Sequence, residues 1–379
     1  MNKLKIAYVV NSSTFFRSHF VEIASSCKER GLDVIIISGD DVEREFFSKL
    51  GFEFICISMS RKGQHFFEEL RCLNNLKKAL NSEQPDFIHF LTIKPILYGG
   101  ISCFLSKKLH KKVKIYSVTG LGSFFLSDRA LLKFLWVFVE FFYKLIFKNE
   151  RSKVIFENDD DRNYFLERRL ADAKRTYVID GAGVDTQRFS PTVKERGEEV
   201  VVTFVARLLR DKGIREFIEA ASILKSRKVA IKMQVVGTVD VNNITSMSSD
   251  ELQLAIDKGV INYLGFQSDI NNIYNLSDIA CLPSYREGLP KSLIEAAACG
   301  LPIVTTDVPG CRQMVERYDN GVIVAAKDPL ALADALEFLS KDKVKMDIMS
   351  RNSRRFAVEK LDSSIIIKSF FDVYGVKLY

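Results

Sequence analysis

The chain has few of the residues that build metal centres and disulfide frameworks. Of its 379 residues only four are His and one is Trp, and its seven Cys include no C-x-x-C pair. The odd number and wide spacing of the Cys argue against disulfides and predict reduced thiols in a cytoplasmic protein. The His residues show no H-x-x-x-H spacing, so no metal site is expected.

Long apolar runs and several ligand-binding motifs are also missing. The apolar N-terminal segment has no A-x-A-like cleavage site, so it is interpreted as a first β-strand rather than a signal peptide. The chain contains no Walker A sequence and no complete G-x-G-x-x-G, which gives ATPase and hydride-transfer functions little support. No helix-turn-helix or RNP-like signature is present, so no nucleic-acid partner is predicted.

The composition is that of an ordinary globular protein, with 47% hydrophobic and 27% charged residues. The formal net charge of +7 is compatible with nucleic acid, an anionic membrane or a phosphorylated small molecule as partner. Phenylalanine is distributed unevenly, because 22 of the 29 residues lie between Phe15 and Phe189. This asymmetry indicates either a Phe-rich core in one domain or a surface that meets lipid or an apolar ligand.

Short β-branched or aromatic runs alternate with helical patterns along the whole chain. This alternation predicts parallel sheets with helices on both faces and ligands outside the carboxyl ends of the strands. A polar segment at 190–199, with Pro191 and Gly197, separates two such series. The predicted fold class is therefore α/β, with two doubly wound Rossmann-like domains, 1–189 and 190–379, facing a cleft. The predicted strands are 5–10, 33–38, 53–57, 86–90, 113–118, 153–156, 176–179, 200–205, 232–236, 261–264, 279–282 and 302–305.

One predicted helix, 131–147, has an unusually broad apolar arc. Fourteen of its 17 residues are apolar or aromatic, and its longest uninterrupted apolar run has only six residues, so it is too short to span a membrane. We expect Lys133, Glu140, Lys144 and Lys148 to form one polar stripe. A membrane surface, a core or a dimer seam could cover the apolar arc. The six basic and two acidic residues between 129 and 153 favour an anionic membrane surface.

The segment 284–295, SYREGLPKSLIE, follows a predicted strand and opens a predicted helix. Pro290 suits the first turn of that helix, whose backbone amides and positive dipole end would suit a diphosphate. Glu287 precedes the helix and Glu295 lies within it, two turns further on, so both carboxylates can face the same side. A carboxylate at each position could accept hydrogen bonds from sugar or ribose hydroxyls.

A second basic motif follows the predicted strand 200–205. Arg207 and Lys212 lie five residues apart at its carboxyl end, and Gly213 lets the backbone turn. A guanidinium can bind a diphosphate bidentately and an ammonium can neutralise it as a point charge. The nearby Arg210 is compatible with simple exposure to solvent.

Together, these two motifs resemble those of retaining GT-B glycosyltransferases of the glycosyltransferase family 4 type, which includes sucrose synthase and bacterial sugar-polymer enzymes. The first half resembles the branch that acts on undecaprenyl-diphosphate-linked sugars in capsule, O-antigen and glycan assembly. The supporting matches in the second half are 181–191, 263–265 and 302–310. Those in the first half are 60–63, 85–86, 92–95, 98–100, 119–123 and 156–160.

The resemblance implies specific roles for the donor site. Arg207 and Lys212 match the pair on the donor diphosphate, Glu287 the carboxylate at the donor sugar, and Glu295 the carboxylate at the ribose. The backbone at the start of that helix, Gly288, Leu289 and Pro290, is also expected in the donor site. The turn at Gly265 matches a segment near the nucleotide base.

The acceptor side is less well defined. Many relatives place a His after a strand of the first domain, but the equivalent segment here is Val118-Thr119-Gly120. His89, near the cleft-facing end of a predicted strand, is a candidate acceptor contact, and a polar His without catalytic duty is the alternative. The remaining candidate contacts are Lys94, Thr119 and Gly120. The triplet 159–161 is interpreted as the N-cap and acidic first turn of a helix rather than a D-x-D metal motif.

The activity implied by the resemblance is retaining, metal-independent transfer of a sugar, N-acetylhexosamine-like, from a UDP-sugar. The acceptor would be a polyprenyl-diphosphate-linked sugar, and no cofactor beyond the co-substrate is expected. The protein would be cytoplasmic and peripheral on the inner face of the cell membrane. One alternative is a nucleotide-sugar 2-epimerase on the same fold. The other is a non-catalytic membrane-bound subunit, and the presence of all four donor-site residues argues against it; these are Arg207, Lys212, Glu287 and Glu295.

Overall fold

The computed structural model describes residues 3–59, 66–121, 130–193, 197–240, 243 and 245–376, without the side chains of 66 and 130–133. The expected motif at 60–63 and the end of the 119–123 motif lie outside these residues. The chain forms two compact units. The first comprises Met1–Ala182 and Ser364–Tyr379, and the second comprises Gly183–Ser363.

The first unit is built on a seven-stranded sheet in which every described pair of neighbours is parallel. The strand order is β3-β2-β1-β4-β5-β6-β7. Its strands are β1 (Lys5–Val10), β2 (Asp33–Ser38), β3 (Glu53–Cys56), β4 (Phe87–Leu91), β5 (Val113–Val118), β6 (Ser152–Phe156) and β7 (Thr176–Val178). Its helices are α1 (Ser13–His19), α2 (Val21–Glu29), α3 (Arg44–Lys49), α4 (Phe66–Glu83), α5 (Ile93–Phe104), α6 (Lys107–His110), α7 (Ala130–Phe147) and α8 (Asp159–Glu167).

Apolar side chains cover both faces of this sheet. Helices α1, α2 and α3 pack with the last helix of the chain against one face, and α4, α5, α7 and α8 pack against the other. The strand sequences KIAYVV and DVIIIS are apolar at successive positions rather than alternating ones. This pattern is typical of parallel strands that are buried on both sides.

The second unit has a six-stranded parallel sheet of order β10-β9-β8-β11-β12-β13. Its strands are β8 (Val200–Val205), β9 (Ile231–Val236), β10 (Asn262–Gly265), β11 (Ile279–Leu282), β12 (Ile303–Thr306) and β13 (Gly321–Val324). Its helices are α9 (Ile214–Ser226), α10 (Ser249–Asp257), α11 (Ile270–Asn275), α12 (Lys291–Ala298), α13 (Gln313–Glu316), α14 (Pro329–Lys341) and α15 (Lys343–Phe356). Both sheets confirm the predicted doubly wound α/β class, and β13 is a strand that the sequence patterns missed.

The boundary between the units differs from the predicted one at residue 189. The chain enters the second unit at Gly183, and the polar segment 190–199 belongs to that unit. The Asn275 side chain accepts a hydrogen bond from the Thr192 amide (2.8 Å) and donates one to the Ser190 carbonyl (3.1 Å), which ties the segment to the second unit.

The predicted assignment of the chain end to the second domain also needs correction. The last helix, α16 (Ser363–Tyr374), packs in the core of the first unit through Phe370, Phe371 and Tyr374. Its apolar face is needed there because one face of the seven-stranded sheet would otherwise be partly uncovered.

The face of α7 that points away from the core is apolar, whereas the sequence predicted a polar stripe there. Trp136 and Tyr143 are buried in the core. Glu140 accepts hydrogen bonds from Trp136 and Tyr164, and its side chain is only 12% exposed, so it does not belong to a solvated stripe. The outward face is apolar instead, with side chains that are 41–61% exposed: Phe134, Leu135, Val137, Phe138 and Phe141. Among the described helices, none combines the length and apolarity that crossing a bilayer requires.

His89 is a core residue, which corrects its predicted place on the acceptor side. It is fully buried in β4, with Nδ1 2.9 Å from the Tyr374 hydroxyl and Nε2 2.7 Å from the Ser117 hydroxyl. Burial lowers the pKa of His89 to about 3. Its hydrogen bonds tie α16 to the middle of the sheet, so its role is structural.

The buried His89 predicts a pH-dependent stability. In the unfolded chain its pKa returns to about 6.5, so protons bind the unfolded state preferentially between pH 6.5 and 3. The free energy of unfolding should fall with decreasing pH in this window, by up to about 1.4 kcal/mol per pH unit from this residue. The free energies of unfolding of wild type and His89→Gln, measured by urea titration, should therefore converge as the pH falls from 6.5. A constant difference between them would show that His89 is not held neutral.

Candidate active site

The candidate site of the second unit lies at the topological switch point of its sheet. Strands β8 and β11 are neighbours, and the chain proceeds from them toward opposite edges of the sheet. The loops that follow two such strands diverge at their carboxyl ends and leave a crevice for a ligand. Arg207, Lys212 and Gly213 lie in the loop after β8, and Ser284 and Glu287 lie in the loop after β11.

These two loops are in unusually close contact. Gly213 has a left-handed φ of +77°, and a Cβ atom placed on it would lie 2.0 Å from the carbonyl oxygen of Pro283. The Tyr285 amide donates to the Asp211 carbonyl (2.9 Å), and the Ser284 hydroxyl lies 2.8 Å from the same oxygen. Only glycine fits at position 213, because both the backbone conformation and the available space exclude a side chain.

This contact brings Lys212 and Glu287 together. The Lys212 Nζ lies 2.5 Å from Oε1 and 2.7 Å from Oε2 of Glu287, and Ser284 Oγ lies 2.7 Å from Oε1. Both side chains are largely buried, 26% and 10% exposed. An ammonium group and a carboxylate 75 residues apart in sequence thus share one small polar site. Its cation can neutralise an incoming phosphate while its carboxylate accepts hydrogen bonds from hydroxyls.

A third loop, after β12, supports the same site. Gly310 has a φ of +79°, and a Cβ there would lie 2.3 Å from the Gly288 carbonyl oxygen. The Glu287 amide donates to the Pro309 carbonyl at 3.3 Å. Gly310 belongs to the 302–310 segment that matches the family pattern, and its role in supporting Glu287 is evident only in the structure.

Helix α12 begins directly after this site. Pro290 is its N-cap rather than a first-turn residue, and the Pro290 carbonyl accepts from the Leu293 and Ile294 amides (3.0 and 3.1 Å). The N-cap residue Pro290 has no side-chain group that could cap the helix. Its positive dipole end therefore points toward the Gly288–Pro290 backbone, where it favours an anion.

Glu295 and Glu287 have different surroundings. Glu295 lies within α12, and burial raises its pKa, while Lys291 and Arg188 act in the opposite direction. The Lys291 Nζ lies 3.8 Å from Glu295 Oε1. Arg188, which the sequence analysis did not single out, adds a positive charge close to this carboxylate. The two carboxylates therefore have different partners, Lys212 and Ser284 for Glu287 and the charges of Lys291 and Arg188 for Glu295.

Arg207 has its own acidic partner. Its guanidinium lies 2.9 Å from Asp240 Oδ2, and its side chain is exposed. The Gly265 carbonyl at the end of β10 accepts from the Gly237 amide at 2.9 Å, and Gly265 itself borders open space. Asp240 was not predicted, because a single acidic residue in a loop gives no signal in the sequence. Arg207 and Lys212 are thus held by two different carboxylates.

The first unit carries a strained residue near the predicted acceptor contacts. Thr92 follows β4 with a φ of +71°, which is rare for a β-branched residue. Its amide donates to the Ser117 carbonyl (3.3 Å), and its hydroxyl donates to Asn11 Oδ1 (3.3 Å). Thr119 and Gly120 follow the neighbouring strand β5 and are half-buried. These residues lie at the carboxyl edge of the first sheet, as the predicted strands required.

Lys94 is held in a polar cluster at the start of α5. Its Nζ lies 2.8 Å from Glu69 Oε1, and the Tyr98 hydroxyl donates to the same carboxylate. Burial opposes ionisation of Glu69, but the hydrogen bonds from Lys94 and Tyr98 outweigh it and lower the pKa of Glu69. Lys94 is therefore a fixed charge rather than a flexible surface lysine.

The acidic triplet 159–161 forms the first turn of a helix. Asn158 is the N-cap of α8 and accepts from the Asp161 amide at 2.7 Å, while Asp161 is fully buried. The capping interpretation is therefore confirmed. Within the ranges that the structure describes, no group of three or more His, Cys, Asp or Glu is arranged to hold a metal ion.

Comparison with known proteins gives the family. A family model for Glycosyl transferase 4-like domains matches residues 5–158, and a model for Glycosyl transferases group 1 matches residues 185–356. Together they span most of both units.

Several relatives align with nearly the whole chain. The chain is 27% identical to N,N'-diacetylbacillosaminyl-diphospho-undecaprenol alpha-1,3-N-acetylgalactosaminyltransferase of Campylobacter jejuni, over 98% of each protein. It is 25% identical to the capsular polysaccharide biosynthesis glycosyltransferase CapM of Staphylococcus aureus, over 93% of this chain and 92% of that protein. It is also 25% identical to the UDP-Gal:alpha-D-GlcNAc-diphosphoundecaprenol alpha-1,3-galactosyltransferase of Escherichia coli, over 92% of this chain and 87% of that protein.

Solved structures with lower identity share the fold. Sucrose-phosphate synthase from Thermosynechococcus elongatus matches with a TM-score of 0.79 at 16% identity, over 98% of both chains. Anabaena HepE in complex with UDP matches with a TM-score of 0.76 at 17% identity, over 99% of this chain and all of that one.

The two doubly wound parallel-sheet domains have the GT-B fold, as do these solved structures. The chain belongs to the glycosyltransferases, with a Glycosyl transferase 4-like first domain and a group 1 second domain.

Because the two loops are in contact, Gly213→Ala should lower the free energy of unfolding more than Gly265→Ala does. Gly265→Ala should cost about 1 kcal/mol, because it only forces a side chain into positive φ. Gly213→Ala should cost more than about 3 kcal/mol, because its Cβ also overlaps the Pro283 carbonyl. Urea unfolding of both variants measures the difference. Equal costs would show that the two loops are not in contact.

Proposed function

We propose that the protein transfers a sugar, N-acetylhexosamine-like, from a UDP-sugar to a polyprenyl-diphosphate-linked sugar during bacterial surface polysaccharide or glycan synthesis. The observation that carries the proposal is the Lys212–Glu287 pair beside the start of α12. The names of the C. jejuni and E. coli relatives support a lipid-diphosphate-linked acceptor, and the E. coli name also supports a UDP-linked donor.

The donor roles follow from charge and position. Arg207, Lys212 and the N-terminus of α12 would neutralise the diphosphate, because each places positive charge near the carboxyl ends of β8 and β11. Glu287 would accept hydrogen bonds from the donor sugar, and Glu295 from the ribose. Gly265 would border the base, since it lies at the end of β10 with open space beside it.

The proposed reaction retains the configuration of the transferred carbon. The bond between the sugar C1 and the diphosphate oxygen breaks, and the acceptor hydroxyl oxygen bonds to C1 on the same face. The hydroxyl proton passes to the departing phosphate oxygen, so the products are UDP and the extended lipid-linked sugar. In this proposal the two cations and the helix terminus stabilise the leaving group without a metal ion or other cofactor.

The donor-diphosphate roles are tested by removing positive charges at the switch point. Arg207→Ala and Lys212→Ala should each lower the transfer rate by roughly 10² or more, because leaving-group stabilisation is lost. Arg210→Ala is the matched control, since Arg210 is an exposed cation on the same loop. UDP release is measured with a panel of UDP-sugars, a polyprenyl-diphosphate-linked acceptor and EDTA.

Near-normal rates in both alanine variants would contradict the diphosphate assignment. Loss of activity in EDTA that Mn²⁺ restores would contradict metal independence. Conversion of the UDP-sugar to its epimer without acceptor would identify a nucleotide-sugar 2-epimerase instead.

We further propose that the protein is peripheral on the cytoplasmic face of the membrane and docks through α7. The apolar outward face of this helix supports docking, because Phe134, Phe138 and Phe141 recur at helical spacing and are about half exposed or more. Lys144 and Lys148 are exposed near the end of the same helix and would attract anionic lipid. A lipid-linked acceptor keeps its chain in the bilayer, so the enzyme must work at that surface.

Replacing Phe134, Phe138 and Phe141 with Ser should abolish binding to anionic liposomes. Each buried Phe contributes about 1.5 kcal/mol or more to apolar burial, and the exposed positions leave the core intact. Phe338→Ser is the control, because Phe338 is an exposed Phe in the second unit. Liposome flotation and thermal unfolding are measured in parallel. A folded triple variant that still floats with liposomes rules out α7 as the docking surface.

A further inference from the structure

A pocket lies at the opposite edge of the first sheet from the strand ends that carry Thr92 and Thr119. It is open to solvent, has a volume of about 680 Å³ and is lined by the start of β5, the ends of α5 and α7, α6 and the segment 148–151. None of the donor-site or acceptor-side residues lines it. It is therefore independent of the transfer reaction.

The pocket contains a buried lysine without a counter-charge. Lys114 is only 2% exposed, and its Nζ donates to the His110 carbonyl at 2.8 Å. Within the part of the chain that the structure describes, no carboxylate lies within ion-pair distance of it. Burial lowers the pKa of Lys114 to about 8, with Cys103 acting in the opposite direction and Arg151 adding to the decrease. An uncompensated buried ammonium is costly, and a bound anion would remove that cost.

The other walls combine positive charge with apolar surface. Lys111, Lys148 and Arg151 are exposed cations around the pocket, and Glu150 is the one carboxylate among its lining residues. Phe104, Tyr116 and Ile146 supply apolar walls. Four cations against one carboxylate select for an anion, while the apolar walls select for a ligand with a hydrocarbon part.

The pocket also adjoins the apolar face of α7. Leu145 lines it and lies four residues after Phe141 and seven after Phe138, which places all three on one helical stripe. The long acyl chains of a membrane lipid held in the pocket would therefore extend along that stripe, whereas six-carbon chains would reach only its end at Leu145.

We propose that this pocket binds the headgroup of an acidic phospholipid, with the phosphate near Lys114 and the first carbons of the chains against Phe104 and Leu145. A free phosphate would leave the apolar walls unused, and a zwitterionic lipid would bring its own cation into a site that already has four. The site would give α7 a preference for anionic membranes. It does not depend on the proposed transfer reaction.

The ligand class is tested on the full-length protein with short-chain lipids below their micellar concentration. Calorimetry should show that dihexanoyl phosphatidylglycerol binds, and that dihexanoyl phosphatidylcholine and inorganic phosphate each bind at least tenfold more weakly. Equal binding of the phosphatidylcholine would reduce the site to an apolar pocket. Equal binding of inorganic phosphate, in competition with the lipid, would make it a small-anion site. Either result overturns the proposal.

Substitutions of lysines that line the pocket test whether the lipid binds there. Lys114→Met should weaken phosphatidylglycerol binding at least tenfold while the protein stays folded, because the apolar replacement removes an unpaired buried charge. Lys108→Met on α6 is its control, since Lys108 is exposed and does not line the pocket. If Lys114→Met does not fold, Lys111→Ala/Lys148→Ala serves instead, because both side chains are exposed, with Lys107→Ala/Lys108→Ala as the charge-matched control.

Unchanged affinity in the pocket variants overturns the proposal. The Phe134, Phe138 and Phe141 triple Ser variant should bind the short-chain lipid within about twofold of wild type, and a large loss there would place the lipid on the helix face instead. Arg207→Ala should leave lipid binding unchanged whether or not it impairs transfer, so the two proposals fail separately.

Discussion

The close contact between the loops after β8 and β11 organises the candidate active site. Because Gly213 has no side chain, its backbone can lie against the Pro283 carbonyl, and Lys212 then reaches Glu287. Gly310 permits a similar approach from the loop after β12, which supports the backbone at Glu287 and Gly288. Two glycines thus allow three loops to converge at one end of a parallel sheet. The helix that starts there adds its dipole to the same place. The chemistry depends on backbone proximity that larger residues would prevent.

Helix α7 satisfies two requirements at once. One face buries Trp136 and Tyr143 in the first core, with Glu140 bound to neighbouring donors, and the other leaves a row of Phe side chains outside. An apolar outward face is costly in water unless something covers it. In the Phe-rich first half of the chain many Phe side chains form the core, as one of the two explanations from composition predicted, while Phe134, Phe138 and Phe141 of α7 lie on the surface. The basic pocket lies at the end of this helix, so its positively charged side chains adjoin the apolar surface.

The strands were the most predictable part of the fold. Parallel strands buried on both faces favour continuous apolar runs, and such runs in β1 and β2 coincide with the predicted segments. Strand β13 (GVIV) was missed because its first residue, Gly321, follows Asp319 and Asn320, and such a sequence is typical of a turn. Helices α5 and α6 follow each other closely but are separate, because Ser106 caps the second one. The domain boundary was misplaced because a polar segment predicts a linker, whereas side-chain contacts with Asn275 attach it to the second unit.

The sequence by itself determined the fold class and the residues of the donor motifs, because periodicity and local spacing encode strands, helix starts and loop chemistry. Only the tertiary structure decided which charges meet. Lys212 pairs with Glu287 and Arg207 with Asp240 across long stretches of chain, and nothing local in the sequence identifies these partners. The same holds for His89, whose environment depends on Tyr374 at the far end of the chain. Burial is the physical reason, since it is set by the elements that pack around a residue rather than by the residue's neighbours in sequence.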